Sequence, residues 1–408
     1  MQDIIVEKPY RFLPPHRGTW IPNLVQKLHI HDKYLAKFEG VESHEVRGAG
    51  LLRESLRQGH GVILAPNHCR YADPLAMGWI ARQVHSLVYA MASWHLFHQS
   101  RLQGWAIRML GGFSVYREGL DRDALETAID ILARAERPLI IFPEGTVFRS
   151  NDILQPLLDG VAFIARTAAK RRVKHNQGAV VIHPVAIKYL FQGNLESTLE
   201  PVLTRIETRL TFSPDVRDLI PRIERIGLTL LVLKEIEYLG TPQTGCLEER
   251  QQRLIEHLMH PLEAKWLAGQ KPASELIPRV KSLRTQIVPQ LLRAAVDSQL
   301  KRELWVDLHH IYLAQQIGSY PHDYLHRPTI TRLLETVERY EEDLTDRCTI
   351  HRPLHAILEI LPAIEVDTGR PPRGAVDPIM SALEGALAEK LEQLSAESPL
   401  YEKSLSLR

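Results

Sequence analysis

The sequence predicts an α/β protein, a mixed central sheet flanked by helices, with a large additional helical region. Three observations predict it. Short apolar runs alternate with helix-period segments from about Gly48 to Lys188, the pattern of strands and covering helices in one sheet. From Leu195 to Arg347 the pattern changes to long helical runs rich in Leu, Glu and Arg, punctuated by Gly240, Pro242, Pro272, Pro278 and Pro321. At His355–Val366 an apolar run resumes, with Ile357, Leu358, Ile360, Leu361, Ile364 and Val366, and reads as one more strand.

Residues 1–47 form an N-terminal segment, irregular around Pro9, Pro14 and Pro15. A helix is predicted from Trp20 to Phe38, with Ile21, Leu24, Val25 and Leu28 at helical spacing. Residues 48–194 form the core, with strands at Gly61–Ala65, Ser86–Met91, Gly112–Tyr116, Pro138–Phe142 and Ala179–Lys188. Between them lie predicted helices at Pro74–Arg82, Leu96–Leu110, Asp121–Ala135 and Leu157–Lys170. Residues 195–347 read as a helical insertion or subdomain, and 348–408 as a strand and helix returning to the core. The competing reading of 355–366 is a helix end broken by Pro362. After a Gly/Pro turn at Gly369–Gly374, a helix at Asp377–Leu394 places Ile379, Leu383, Leu387, Leu391 and Leu394 on one face, which suits covering a sheet.

The 408 residues carry a net charge of +1, so binding of anions must come from local basic patches, and nothing points to nucleic acid. Three scattered cysteines, Cys69, Cys246 and Cys348, argue for a reducing compartment. Met1–Arg11 lacks the apolar core of a secretory signal. The charge-free stretch Gln83–Ser100 is interrupted by three histidines, and no run approaches the ~20 apolar residues of a spanning helix. A soluble or membrane-surface protein is expected.

Four blocks carry chemistry. The first, Ala65-Pro66-Asn67-His68-Cys69-Arg70-Tyr71-Ala72-Asp73-Pro74, joins a buried strand to a helix. His68 and Asp73 would lie ~140° apart on one helix and can meet only if the segment between them curls as a loop. A loop at the carboxyl end of a strand in an open α/β sheet is where ligands bind. Asp-Pro also reads as a helix start, with Asp73 at the N-cap and Pro74 at the first helical position. A plain cap for Asp73 and a loop or core histidine at His68 are the unremarkable readings. The second block is Gly111–Arg117, a glycine turn into a strand that ends in arginine. The third is Ile140-Ile141-Phe142-Pro143-Glu144-Gly145-Thr146, with Arg149 close behind. The fourth is Val181-Ile182-His183-Pro184-Val185, whose internal proline suggests a sheet edge or bulge.

In their order and spacing the four blocks resemble the glycerolipid acyltransferases of the PlsC type, which include 1-acylglycerol-3-phosphate and glycerol-3-phosphate acyltransferases. Asn67-His68 through Asp73 is similar to the family's His-x4-Asp motif, Gly112–Arg117 to the second, Phe142–Thr146 to the third, and Pro184 lies in what resembles the fourth; the likeness covers about residues 48–190. It implies the glycerolipid acyltransferase fold and direct O-acyl transfer from an acyl thioester, acyl-CoA or an acyl carrier protein, to a lysophospholipid hydroxyl. No metal or cofactor is implied. His68 would be the general base, oriented by Asp73, and no acyl-enzyme would form. Asn67, Glu144, Gly145 and Thr146 would shape the substrate site, and Arg117 and Arg149 would bind an acceptor phosphate. A lipid substrate further implies a peripheral position on the cytoplasmic face of a membrane, with Trp20, Ile21, Leu24 and Leu28 as candidate contacts. The sequence also departs from the family pattern. Val147 stands where an arginine is common, and the lysine often found before the second motif is missing near Met91-Ala92-Ser93. These departures leave open glycerol-3-phosphate or a non-phosphate lipid as acceptor, and a non-catalytic lipid-surface scaffold as the non-enzymatic alternative.

Other readings carry less. Gly112-Phe113-Ser114-Val115-Tyr116 lacks the last glycine of a nucleophile elbow. Cys69 neighbours His68 in sequence, which is poor geometry for a thiol nucleophile. Among the 19 histidines, His95/His98 and His309/His310 come without a Glu of metalloprotease type and read as surface or core residues. Lys170-Arg171-Arg172-Lys174 fits the negative end of a helix dipole at least as well as contact with anionic lipid.

Overall fold

The structure is a computed structural model that describes residues 6, 8–213, 217–269, 272–292, 298–319, 324–369, 371–372 and 375–402. A sheet of eight strands runs through the middle of it. In chain order the strands are β1 (Val41–Arg47), β2 (Gly61–Pro66), β3 (Tyr89–Ser93), β4 (Gly112–Val115), β5 (Leu139–Ile140), β6 (Val180–Phe191), β7 (Leu354–Ile360) and β8 (Ile364–Glu365). Their spatial order is β1-β7-β6-β2-β5-β3-β4, with β8 also on β6. Among the described residues the β6–β7 and β6–β8 pairs are antiparallel and the other strand pairs parallel, so the sheet is mixed.

All of β2 is buried, as expected of a parallel strand covered on each face. Its side chains alternate between two cores, Val62 and Leu64 in one, Ile63 and Ala65 in the other. The first core takes in the helices α4 (Asp73–Gln83), α8 (Leu195–Arg209) and α13 (Ile330–Thr345). The second takes in α6 (Arg122–Arg134), α7 (Gly160–Lys174) and α14 (Pro378–Ser395). On α14 the buried side chains include Ile379, Leu383, Leu387, Leu391 and Leu394, the face proposed for it from sequence. A third core joins the end of α9 (Leu219–Leu239) to α10 (Leu247–Trp266), α11 (Leu276–Leu291) and α12 (Ser298–Ile317), away from the sheet. Among the described residues no helix is long and apolar enough to cross a membrane.

Several sequence expectations need correction. The helix proposed over Trp20–Phe38 is broken: α1 (Trp20–Lys27) ends at Leu28, His29 takes a left-handed conformation (φ 52°), and α2 (Ile30–Tyr34) leads into a π-helical segment, Leu35–Glu39. Strand β1, at one edge of the sheet, precedes Gly48, where the sequence predicts no strand; α3 (Ala49–Arg57) follows it. The predicted 96–110 helix is a 3₁₀ turn, Trp94–Phe97, followed by α5 (Arg101–Met109). Pro184 lies in a central strand, not at an edge. Its carbonyl accepts from Leu361 N–H, in the gap where the strand beside β6 changes from β7 to β8. The nitrogen of a residue points to the same side as its carbonyl, so the missing donor costs no ladder bond there. Of the Gly369–Gly374 turn, residues 370, 373 and 374 lie outside the described residues, as do 1–5 and 7 of the N-terminal segment.

Candidate active site

Strand β2 ends at Pro66 and the chain turns out of the sheet before entering α4. Asn67 sets the departure. It is buried, its amide donates to Ile187 O (3.0 Å), and its carbonyl oxygen accepts from Ile187 N (2.7 Å). With its amide oxygen and nitrogen both bonded to the neighbouring strand, Asn67 fixes the loop.

The loop curls so that His68 and Asp73 meet, with Nδ1 to Oδ2 at 2.9 Å. Asp73 is the first residue of α4 but makes no cap bond to that helix; Ala72 holds the N-cap position. Its Oδ2 instead accepts from the N–H of Cys69 (2.8 Å) and Arg70 (2.9 Å), and its Oδ1 from the Tyr189 hydroxyl (2.8 Å). The aspartate thus organises the loop before it. A carboxylate can only accept, so in the neutral imidazole the facing Nδ1 carries the proton and Nε2 keeps its lone pair. The imidazole stacks on Phe142, centroids 4.1 Å apart, and retains some exposure, whereas Asp73 has none.

Phe142 and Glu144 come from the turn after β5. Gly145 closes that turn at φ 73°, where a Cβ would stand 2.7 Å from Leu158 Cδ1. Glu144 is buried and bridges two loops, accepting from His68 N (2.6 Å) and Gln155 N (3.2 Å). Burial raises its carboxyl to about 8, with the two N–H donors working against the rise. Thr146 is half-buried beside it.

The two predicted phosphate-binding arginines are placed differently. Arg117 is half-buried and donates to the Gly145 carbonyl; burial and the like charge of Arg284 lower it to about 10. Arg284, on α11, pairs with Glu118 at 2.6 Å. His95 shares this basic corner, and burial followed by the two arginines lowers it to about 3. Arg149, at φ 45°, lies over the Tyr71 ring and is ion-paired to Glu342 of α13. The structure therefore gathers His68, Asp73, Glu144, Gly145 and Arg117, and turns the Arg149 guanidinium toward the helical region.

Sequence reasoning missed Tyr189, Gln155, Arg284 and the acidic face of α13. Tyr189 sits in a long buried strand and reads as core; the others lie in segments with no motif. Cys69 is buried and its thiol is pushed well up by desolvation, which leaves it inert. The Lys170–Lys174 cluster is structural in part, since Arg171 pairs with Glu126 and buried Arg172 donates to Gly59 O, Ala133 O and Gly178 O. Among the described residues no cluster of His, Cys, Asp or Glu could hold a metal.

Comparison with known proteins matches this region. The sequence model of a family described as Acyltransferase fits residues 51–188. The chain is also 34% identical over 114 residues to a 1-acyl-sn-glycerol-3-phosphate acyltransferase of Streptococcus pneumoniae, an alignment that spans 28% of this chain and 40% of that relative.

Proposed function

From the match of residues 51–188 to the Acyltransferase family model, we propose that the protein moves an acyl group from a thioester, acyl-CoA or acyl carrier protein, to a hydroxyl of a lysophospholipid such as 1-acylglycerol-3-phosphate. The observation that carries this reading is the 2.9 Å contact between His68 Nδ1 and Asp73 Oδ2 at the end of β2. Nε2 takes the hydroxyl proton as the oxygen attacks the thioester carbonyl. Asp73 stabilises the imidazolium, and the thiolate leaves with the returned proton, so no covalent enzyme intermediate is needed. Positioned base catalysis of this kind contributes about 10²–10⁴ in rate. The test is mass spectrometry of lipids made by the purified protein from thioester and a panel of lysolipids. His68→Ala and Asp73→Asn should remain folded and lose at least about 10²-fold; retention of more than about a tenth of the activity by folded His68→Ala defeats the mechanism.

Two guanidinium groups, Arg117 and Arg284, face one carboxylate, Glu118. That excess charge suits the anionic head of the acceptor. Arg117→Ala should raise the acceptor KM, with loss of about 1.5–3 kcal/mol from one charge-assisted bond. The pairing of Arg149 with Glu342 favours a second reading, in which the acceptor is glycerol-3-phosphate or a non-phosphate lipid that does not use Arg149. An unchanged acceptor KM in Arg149→Ala, with the product panel, separates the two.

Attachment to a membrane surface follows from a lipid substrate. Trp20 and Leu28 are exposed, as are Ile30, Tyr34 and Phe38, and Lys27, Lys33 and Lys37 lie among them; Ile21 and Leu24 are half-buried. Such an interleaved basic and apolar surface suits the interface of an anionic bilayer. Salt or carbonate washing should release the protein from membranes; a requirement for detergent would show deeper insertion.

A further inference from the structure

Helix α13 lies outside the acyltransferase-family segment and reaches the loops that carry its chemistry. Glu335, Glu338 and Glu342 stand at i, i+3 and i+7, one face of the helix. That face meets Arg70, Asn151 and Arg149. Arg70 Nη2 is 2.8 Å from Glu338 Oε2 and 3.4 Å from Glu335 Oε1, and Nη1 donates to Glu338 Oε1 at 3.3 Å. Glu335 also accepts from Asn151 N (3.1 Å) and Asn151 Nδ2 (2.7 Å). Arg70, Glu335 and Glu338 are no more than 5% exposed. Burial works against the Arg70 charge, but Glu338 and Glu335 more than offset it, and the guanidinium stays above its usual range.

Arg70 stands two residues after His68, and its backbone N–H is one of the three donors to Asp73 Oδ2. A side chain gripped from α13 therefore fixes a donor that fixes the carboxylate that aims the imidazole. Glu335 ties the same helix to residue 151, on the loop that also supplies Gln155 to Glu144. Buried charges need such pairing, and a loop held through them has little freedom to drift. We propose that Glu335 and Glu338 are positioning residues for His68: by gripping Arg70 and Asn151 from α13, these two side chains set the geometry of the base. This rests on the reading of His68 as general base.

The alternative is that these contacts only hold α13 to the core. Glu341 supplies the control, since it lies on the same helix and binds Arg205 (2.6 Å) and Thr349 N (2.6 Å), not the His68 loop. In the whole 408-residue chain, Glu338→Gln, Arg70→Lys, Glu335→Gln and Glu341→Gln would be compared by Tm, by kcat and KM, and by the low-field proton resonance of the His68–Asp73 bond, assigned by its loss in His68→Ala. A displacement of about 1 Å can cost about 10²-fold. Glu338→Gln and Arg70→Lys should lower kcat by about tenfold or more with KM little changed, and should shift or broaden the low-field resonance. Glu341→Gln should lower Tm without moving kcat or the resonance. If Glu335→Gln fails to fold, Glu338→Gln and Arg70→Lys carry the test. Folded variants with lowered Tm but unchanged kcat and resonance overturn the proposal. If the wild type transfers no acyl group to any acceptor, the reading of the reaction fails, and the resonance alone still decides whether α13 sets the His68–Asp73 geometry.

Discussion

Burial pushes the Glu144 carboxyl up to about 8, so near neutral pH it is mostly protonated and adds little negative charge beside Asp73. Its carbonyl oxygen and hydroxyl oxygen can still each accept one of the two N–H groups. The raised value has a direct consequence for stability. A carboxyl whose folded pKa lies above its unfolded value holds an extra proton in the native state. Its contribution is fully present below about pH 4.5 and is lost as pH rises toward and through about 8. Wild-type protein should lose denaturant resistance between about pH 5 and 8 relative to Glu144→Gln, which has nothing to titrate there. Urea midpoints measured across that range test it; parallel pH profiles for the two proteins count against the assignment. That His68 and Asp73 could meet was legible in the sequence, because a buried strand, a short loop and an Asp-Pro helix start lie close together; Glu144 stood out only through the family resemblance. Tyr189, Arg284, Glu335 and Glu338 were not legible, because they come from segments 116 to 268 residues away in their contacts with the first motif and with Glu118, just past the second.

Strand β6 carries the sheet's most demanding residue. Lys188 is fully buried between apolar neighbours, and desolvation lowers its ammonium to about 8. Asp152, equally buried, pairs with it and also with Arg332 of α13 (2.8 Å), and Lys188 donates to Ser395 Oγ of α14 (3.0 Å). One ion pair thus joins a strand, a loop and two helices. Asp152→Ala leaves a buried cation uncompensated, which should cost about 3–5 kcal/mol, while Asp152→Ala combined with Lys188→Met should recover much of it. Chemical denaturation of the two variants measures this, and a double variant no better than Asp152→Ala contradicts it. Strands with continuous apolar runs, such as β2 and β6, were legible. Strand β1 was not, because Glu42, Ser43, His44 and Glu45 are exposed at the sheet edge and give no apolar pattern, the composition by which edges resist pairing with other chains. The break after α1 escaped notice because a single left-handed residue, His29, interrupts an otherwise helical spacing.

Across the whole molecule, the chain leaves the sheet after β6, forms α8 to α13, and comes back as β7. β7 does not join an edge. It lies between β1 and β6, parallel to the first over Val41–Arg47 and antiparallel to the second over Val185–Phe191. Leu354, Ala356, Ile357, Leu358 and Ile360 are all buried there. The helices of the long excursion divide in the same sense. α8, α13 and the start of α9 share the sheet's first core, whereas α10 to α12 enclose a core of their own. Ending the chain at Arg347 would therefore remove an internal strand and α14 together. β1 would lose its strand partner, β6 would expose its backbone donors and acceptors, and the second core would open where Ile379, Met380, Leu383 and Leu387 had closed it. An unpaired apolar strand of that length invites aggregation, and the exposed core removes several side chains each worth about 1.5–3 kcal/mol of burial, against a total stability of about 5–15 kcal/mol. The protein truncated after Arg347 should accumulate as insoluble material and show no cooperative unfolding transition. A soluble, cooperatively melting product would mean that the sheet closes without β7 and that residues 348–408 are dispensable to it.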